Sequence, residues 1–177
     1  GKTVSGIDFT TKTVVTSDGS KYQADIIITT IPWMEFVEIN GMPDEIRESI
    51  GELKYSSIQT EYFAENLHTE AQWIYYPDPK LSYHRILVRH NFCPNSRGYW
   101  TETNSERIDM EASNDNFKYM NQYAYPLNTI RKPEIMRKLL AWSAEQGVHG
   151  LGRWGEHQHY NSDLTVDLAM KMAERFI

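Results

Sequence analysis

The stretch HGLGRWGEHQHYNSDLTVDLAMKMAERFI, residues 149–177, decides how the rest of the chain is read. Glycines at 147, 150, 152 and 155 crowd one side of a basic and aromatic cluster: Arg153, Trp154, His157, His159 and Tyr160. Asn161-Ser162-Asp163 then opens a predicted amphipathic helix. Leu164, Leu168, Met172 and Phe176 recur at steps of four beside Ala169 and Ala173, while Asp167, Lys171, Glu174 and Arg175 face water. The polar triplet offers side-chain oxygens to the unpaired amides of the first turn. Those amides form a positive end suited to anions or electron-rich heteroatoms. A glycine-rich turn also lets backbone come close to a flat or phosphorylated ligand. Two readings stand: a helix N-terminus facing a cofactor, or a capped terminal helix after a tight loop.

Gly150-Leu151-Gly152-Arg153-Trp154-Gly155 spells G-x-G-x-x-G, the dinucleotide fingerprint. That fingerprint belongs in a strand-to-helix turn, with the helix opening at the third glycine and a second strand to follow. Here the predicted helix starts about eight residues late against that pattern, and no second strand follows it. The match is rejected as a pyrophosphate-binding turn.

A chain of 177 residues suffices for one domain with a core or for two small lobes. Its net charge is −6 and it has no basic run, which argues against non-specific nucleic-acid binding. A single cysteine, Cys93, rules out an internal disulfide and suits a reducing, cytoplasmic compartment. No apolar run is long enough to span a bilayer, and no signal peptide is visible. Aromatic residues make up 12%, which suits either core packing or a pocket for rings and sugars.

Taken in order, Thr3–Phe9 and Thr13–Ser17 read as strands, and Ser17-Asp18-Gly19-Ser20 supplies the Asp-Gly turn of a two-residue hairpin returning along Lys21–Ala24. Ile26-Ile27-Ile28 is an unbroken apolar run, suited to a strand buried on both faces. Too few strand–helix units follow it to build such a sheet, so its neighbours are expected in a segment outside this chain, and the chain reads as truncated. Pro43, Asp44, Glu45, Ile46, Ile50 and Leu53 describe a short helix. Tyr55–Phe63, Trp73–Tyr76 and Tyr83–Phe92 read as strands, with Tyr99–Thr103 pairing beside the last. Asn104–Asn116 is polar and acidic and reads as a mobile loop. Gln122–Asn128 is a short extended segment, and Pro133 starts a helix that Gly147 ends.

His157-x-His159 is too sparse to indicate a metal site, and no metal is assigned. A nucleophile elbow is absent, and Cys93 beside a proline reads as a packing residue. Two arginines stand out. Arg85 lies within an aromatic strand and Arg153 within the glycine loop, each near tyrosines and neither in a charge run. Guanidinium forks and phenol hydroxyls grip phosphate oxygens with defined geometry, although surface ion pairing explains an isolated arginine equally well.

Four segments resemble the C-terminal half of the UDP-galactopyranose mutases, within the flavin amine-oxidase-like superfamily. VVTSDGSKYQADIIITTIP, ending at Pro32, is similar to the β-meander and returning strand of that superfamily's FAD-binding domain. SYHRILVRHNF (82–92) resembles the mutase pattern of Tyr-x-Arg followed by a basic residue and Phe. AYPLNT (124–129) resembles the Tyr-Tyr-Pro segment, and GLGRWGEHQHYNSDLTVDLAM (150–170) the Gly-Arg-Leu-Gly loop and flavin-facing helix.

The resemblance implies an α/β fold, α+β within this chain. Residues 1–35 and 145–177 would be portions of an FAD-binding Rossmann-like domain, and residues 36–144 a substrate-side antiparallel sheet with helices. The Gly-rich dinucleotide-binding half would lie outside the chain. The implied activity is FAD-dependent isomerisation of a UDP-sugar, with flavin N5 attacking the anomeric carbon. Arg85 and Arg153 would be catalytic, with Arg85, Tyr125, His159 and Tyr160 binding substrate. Gly152, Arg153, Asn161, Ser162, Asp163 and Leu164 would face the cofactor. His159 stands where mutases carry a tyrosine, Asn161 where they carry an aspartate, and Ser56 or Ser57 where they carry an arginine. The rival readings are an amine-oxidase-type flavin oxidoreductase on the same fold, and a binding domain without chemistry. Expected partners are the UDP-sugar and the other half of the protein, with self-association into a homo-oligomer covering apolar faces.

Overall fold

The computed structural model describes residues 1–108 and 114–176. Strands β1 (Val4–Asp8), β2 (Thr13–Thr16), β3 (Lys21–Gln23), β4 (Ile27–Thr29) and β5 (Glu38–Asn40) lead into helix α1 (Asp44–Ile50). Then come β6 (Tyr55–Phe63), β7 (Trp73–Tyr75), β8 (Tyr83–Leu87), β9 (Tyr99–Asn104) and β10 (Lys118–Pro126). Helix α2 (Lys132–Glu145), strand β11 (Val148–Gly150), the single turn α3 (Gly152–Gly155) and helix α4 (Ser162–Ala173) complete the order. The class is α/β, with both parallel and antiparallel pairing, as the sequence implied. Among the described residues no helix is long and apolar enough to cross a membrane.

Two compact units form: Gly1–Lys54 with Pro126–Ile177, and Tyr55–Tyr125. In the first, β3, β2 and β1 make an antiparallel meander, and β5 joins β1 in parallel with Ile7 opposite Ile39. The hairpin between β2 and β3 differs from the expected two-residue form. Thr16 N donates to Ser20 O at 3.0 Å and Gly19 N to Thr16 O at 2.8 Å, which leaves a three-residue loop. Gly19 takes the left-handed conformation (φ 81°) that such a loop needs after its tight turn. Asp18 closes the loop by accepting from Thr16 Oγ1 and Ser20 N.

The Ile26–Ile28 run is where the structure corrects the sequence most. β4 has a partner inside the chain: it pairs in parallel with β11, with Ile27 opposite Val148 and Thr29 opposite Gly150. Within this chain Ile26 and Ile28 remain 41% and 46% exposed. The core of this unit gathers Ile7, Phe9, Trp33, Phe36, Ile50, Leu53 and Val148 against Ile135, Met136 and Leu139 of α2. Pro133 sits in the first turn of α2, as expected, and Gly147 follows its end with φ 79°.

The second unit is a five-stranded sheet in the order β10-β6-β9-β8-β7. Aromatic pairs lie across its strands, with Phe63 stacked on Tyr99 at 4.9 Å and Tyr62 tilted on Trp100 at 5.0 Å. The strand expected over Tyr83–Phe92 stops at Leu87, and Arg89–Asn91 winds into a 3-10 turn. Side chains draw the backbone off the ladder there. Asn91 Nδ2 donates to the carbonyls of Thr69 and Ala71, both at 2.8 Å, and the His90 ring lies between the carbonyls of Leu67 and Gly98. Of the acidic loop expected at 104–116, Ser105–Arg107 form a 3-10 turn capped by Asn104, and residues 109–113 lie outside the described residues.

Candidate functional site

Strand register sets the cluster around Arg85. β7, β8 and β9 place Tyr75 opposite Arg85, and Arg85 opposite Glu102, so all three share one face of the sheet. Arg85 Nε and Nη2 both donate to Glu102 Oε2, at 2.8 and 2.5 Å. Nη1 donates to the Tyr75 hydroxyl at 3.3 Å, and Nη2 to the Tyr125 hydroxyl at 3.4 Å. The guanidinium also lies over the Tyr75 ring, 5.7 Å from its centroid. Burial alone would lower the arginine pKa, but the Tyr75 bond, the charge and bonds of Glu102, and the Tyr125 bond hold it above its ordinary value. Of the residues named from sequence, Arg85 and Tyr125 thus meet. Glu102 and Tyr75 were missed, because their places beside Arg85 follow from strand register, shifted by an irregularity between Tyr83 and Arg85, and not from any local pattern.

The remaining named residues belong to the first unit. Arg153 in α3 donates from Nη2 to the Tyr160 carbonyl at 2.9 Å, holding the loop between α3 and α4. Gly152 N donates to Glu156 Oε2 at 3.0 Å, and burial pushes the Glu156 carboxyl pKa up despite that bond. The Tyr160 phenol is pushed up as well, by burial and then by Glu156. His159 is exposed.

Helix α4 begins where the sequence places it, but the expected cap is absent. The Asn161 side chain makes no capping bond; the Asn161 backbone carbonyl accepts from Thr165 N at 3.1 Å and from Thr165 Oγ1 at 3.0 Å. Ser162, Asp163 and Leu164 are exposed. The buried stripe is also shifted from the expected one: Thr165, Leu168, Ala169 and Met172 are half-buried, whereas Leu164 and Phe176 are exposed.

The glycine fingerprint is taken up by packing. A helical turn does open at Gly152, sooner than the sequence reading has it. A Cβ on Gly150 would fall 2.2 Å from the Gly155 carbonyl oxygen, and one on Gly155 would fall 2.3 Å from that of Thr29. These glycines let α3 lie directly on the β4–β11 pair.

His157, half of the weak His-x-His pair, is 1% exposed and sits at φ 49°. Its Nε2 lies 3.0 Å from the Lys54 carbonyl, so Nε2 carries the proton and Nδ1 is a bare acceptor without a partner. Lys132, 3% exposed, donates to Asn128 Oδ1 and Gln158 Oε1. Burial lowers the His157 pKa; the Lys54 carbonyl opposes this and the Lys132 charge adds to it. With the folded pKa below the ordinary 6.5, the unfolded chain binds the extra proton first on acidification. Stability from this group is therefore full above the unfolded value of 6.5 and is lost as pH falls from there through the lower folded value. His149, lowered by burial and then by Arg175, contributes in the same sense. Thermal melts from about pH 7.5 to about pH 5 are expected to show a falling midpoint, with a shallower fall for His157→Gln. Equal slopes would clear His157 of this role. Among the described residues no three His, Cys, Asp or Glu side chains are grouped to hold a metal ion.

No protein-family model matches the chain, and no curated protein matches it. Solved structures do. A reduced UDP-galactopyranose mutase superposes with a TM-score of 0.72 at 18% identity, over 88% of this chain and 41% of its own. A CLA-producing fatty acid isomerase from P. acnes gives 0.69 at 12% identity, over 99% of this chain and 47% of its own. A protein from Exiguobacterium sp. named for protoporphyrinogen oxidase gives 0.62 at 12% identity, over 93% and 43%. At these identities the likeness is one of fold. The chain spans less than half the length of each of these three structures.

Proposed function

We propose that this chain is part of an FAD-dependent nucleotide-sugar isomerase of the UDP-galactopyranose mutase type. The observation that carries the reading is the meeting of Arg85 and Tyr125. They lie 40 residues apart, each was named from a mutase-like segment, and they come together at 3.4 Å on one sheet face. The likeness in fold to a mutase over 88% of the chain supports it.

The residues present fit one wall of a flavin site. The first turn of α4 is uncapped by Asn161 and carries exposed Ser162, Asp163 and Leu164. Its amides suit an electron-rich ring edge, and Leu164 suits a flat face. Gly152, Arg153 and Asn161–Leu164 would hold the ring portion. No pyrophosphate cradle is offered by the glycine loop, whose spare volume is filled by backbone. Bound in reduced form, FAD would supply the nucleophile for the sugar's anomeric carbon and emerge unchanged. Arg85, with Tyr75 and Tyr125, would orient the diphosphate, and Arg153 with Tyr160 would shape the site beside the cofactor.

In this reading residues 1–35 and 145–177, all in the first unit, belong to the flavin-binding domain, the second unit lies within the substrate-side segment 36–144, and the nucleotide-binding half lies outside this chain. Ile26 and Ile28 at and within β4, and Leu164, Val166 and Met170 on α4, are exposed apolar groups for that half to cover. The second reading, an amine-oxidase-type oxidoreductase, is favoured by the fold likeness to the protein named for protoporphyrinogen oxidase.

Chemistry separates the two. The protein carrying this chain with its nucleotide-binding half is reduced, incubated anaerobically with UDP-galactopyranose, and its products are resolved by chromatography. A furanose isomer formed without flavin oxidation is expected. Silence with this substrate, together with peroxide from an amine or alcohol, would assign the oxidoreductase instead.

A further inference from the structure

Among the described residues Glu102 is the one buried charged side chain of the second unit, 7% exposed. It lies outside every sequence motif singled out above. Four of the five guanidinium N–H groups of Arg85 are engaged: Nε and one Nη2 by Glu102, the other Nη2 by Tyr125, and one Nη1 by Tyr75. His84 Nε2 stands 3.9 Å from the same carboxylate oxygen. The charge of Arg85 is therefore answered within the chain.

We infer that Glu102 is a specificity-determining residue, setting which anions Arg85 accepts. This rests on the reading of Arg85 as a ligand-facing residue. A small free anion such as pyrophosphate meets a neutral Arg85–Glu102 pair and must compete with a carboxylate already in place. A nucleoside diphosphate, held also through its sugar and base, depends less on that one contact. The pair thus disfavours free phosphates and favours ligands in which the anion is one part of a larger polar body.

The test is calorimetric titration of inorganic pyrophosphate into the full chain at fixed ionic strength, with circular dichroism confirming the fold of each variant. Glu102→Gln keeps the shape and an acceptor while removing the charge, and is expected to bind pyrophosphate about tenfold more tightly than the parent. Glu102→Asp, with a shorter reach, is expected to fall between them. Adding Arg85→Gln to Glu102→Gln is expected to erase the gain. Pyrophosphate binding that is no tighter in either Glu102 variant, or absent throughout the millimolar range, overturns the inference. UDP titrations separate the two claims. If Arg85→Gln leaves UDP binding unchanged, the reading of Arg85 as a ligand residue fails. If it weakens UDP while Glu102→Gln leaves pyrophosphate unaffected, only the role given to Glu102 fails.

Discussion

Gly155→Ala is expected to cost the first unit about 3–5 kcal/mol, enough to unfold a marginal domain. The added Cβ would lie 2.3 Å from the Thr29 carbonyl oxygen and 3.1 Å from two backbone atoms of Gly150. Overpacking between side chains costs about 1–3 kcal/mol because rotamers can yield. Here the obstacle is backbone of the β4–β11 pair and cannot yield without breaking pairing. Retreat of α3 is blocked as well, since the buried Trp33 donates its indole N–H to the Gly155 carbonyl at 2.8 Å. Gly19→Ala isolates the backbone term: Gly19, unlike Gly155, sits at a positive φ of 81°, but nothing lies within 4 Å of the added Cβ. It should cost about 1 kcal/mol, the left-handed penalty alone. Urea denaturation reads both, and a Gly155 variant no worse than the Gly19 variant would show that the close approach of α3 to β4 is not real.

The second large effect belongs to the Arg85–Glu102 pair. Arg85→Ala is expected to destabilise the second unit by about 2–4 kcal/mol, because it strands a carboxylate whose side chain is only 10% exposed. Glu102→Gln alone should cost about 1 kcal/mol, since the amide oxygen still accepts from the guanidinium. The double variant Arg85→Ala with Glu102→Gln should recover about 1–2 kcal/mol relative to Arg85→Ala, as no charge is then left buried. Additive single effects would mean that the two groups do not share one desolvated contact. This cycle also guards the functional reading, because turnover lost on replacing Arg85 has to be corrected for the fraction of protein unfolded.

Local pattern made much of this architecture legible. The alternation of Tyr55–Phe63 marks β6 at its observed ends, and Pro133 and Gly147 bracket α2 through backbone preferences that need no tertiary contact. Features set by distant partners were not legible. The partner of Ile27 is Val148, far along the chain, and no window of sequence announces that pairing. Strand β8 stops at Leu87 because Asn91 reaches back to the carbonyls of Thr69 and Ala71. In α4 the period of four was right, but which apolar side chains are covered depends on what packs there, so Leu164 stays exposed while Leu168 does not. The site shows the same division. Arg85 and Tyr125 could be picked out as polar groups in aromatic segments. Glu102 could not, because its place opposite Arg85 follows from the β8–β9 register, shifted by an irregularity between Tyr83 and Arg85. His157 and His159 look alike in sequence, yet a carbonyl at Lys54 pulls one into the interior and leaves the other outside.

The central claim is that this chain supplies one wall of a flavin site and leaves the pyrophosphate cradle to another half. Flavin content tests it most directly. The protein carrying both halves is predicted to purify with one FAD per chain, released on denaturation, while residues 1–177 alone take up no FAD when titrated at low micromolar concentration and followed by flavin fluorescence. Stoichiometric binding by residues 1–177 alone, or a complete protein that neither contains nor binds flavin, would contradict it.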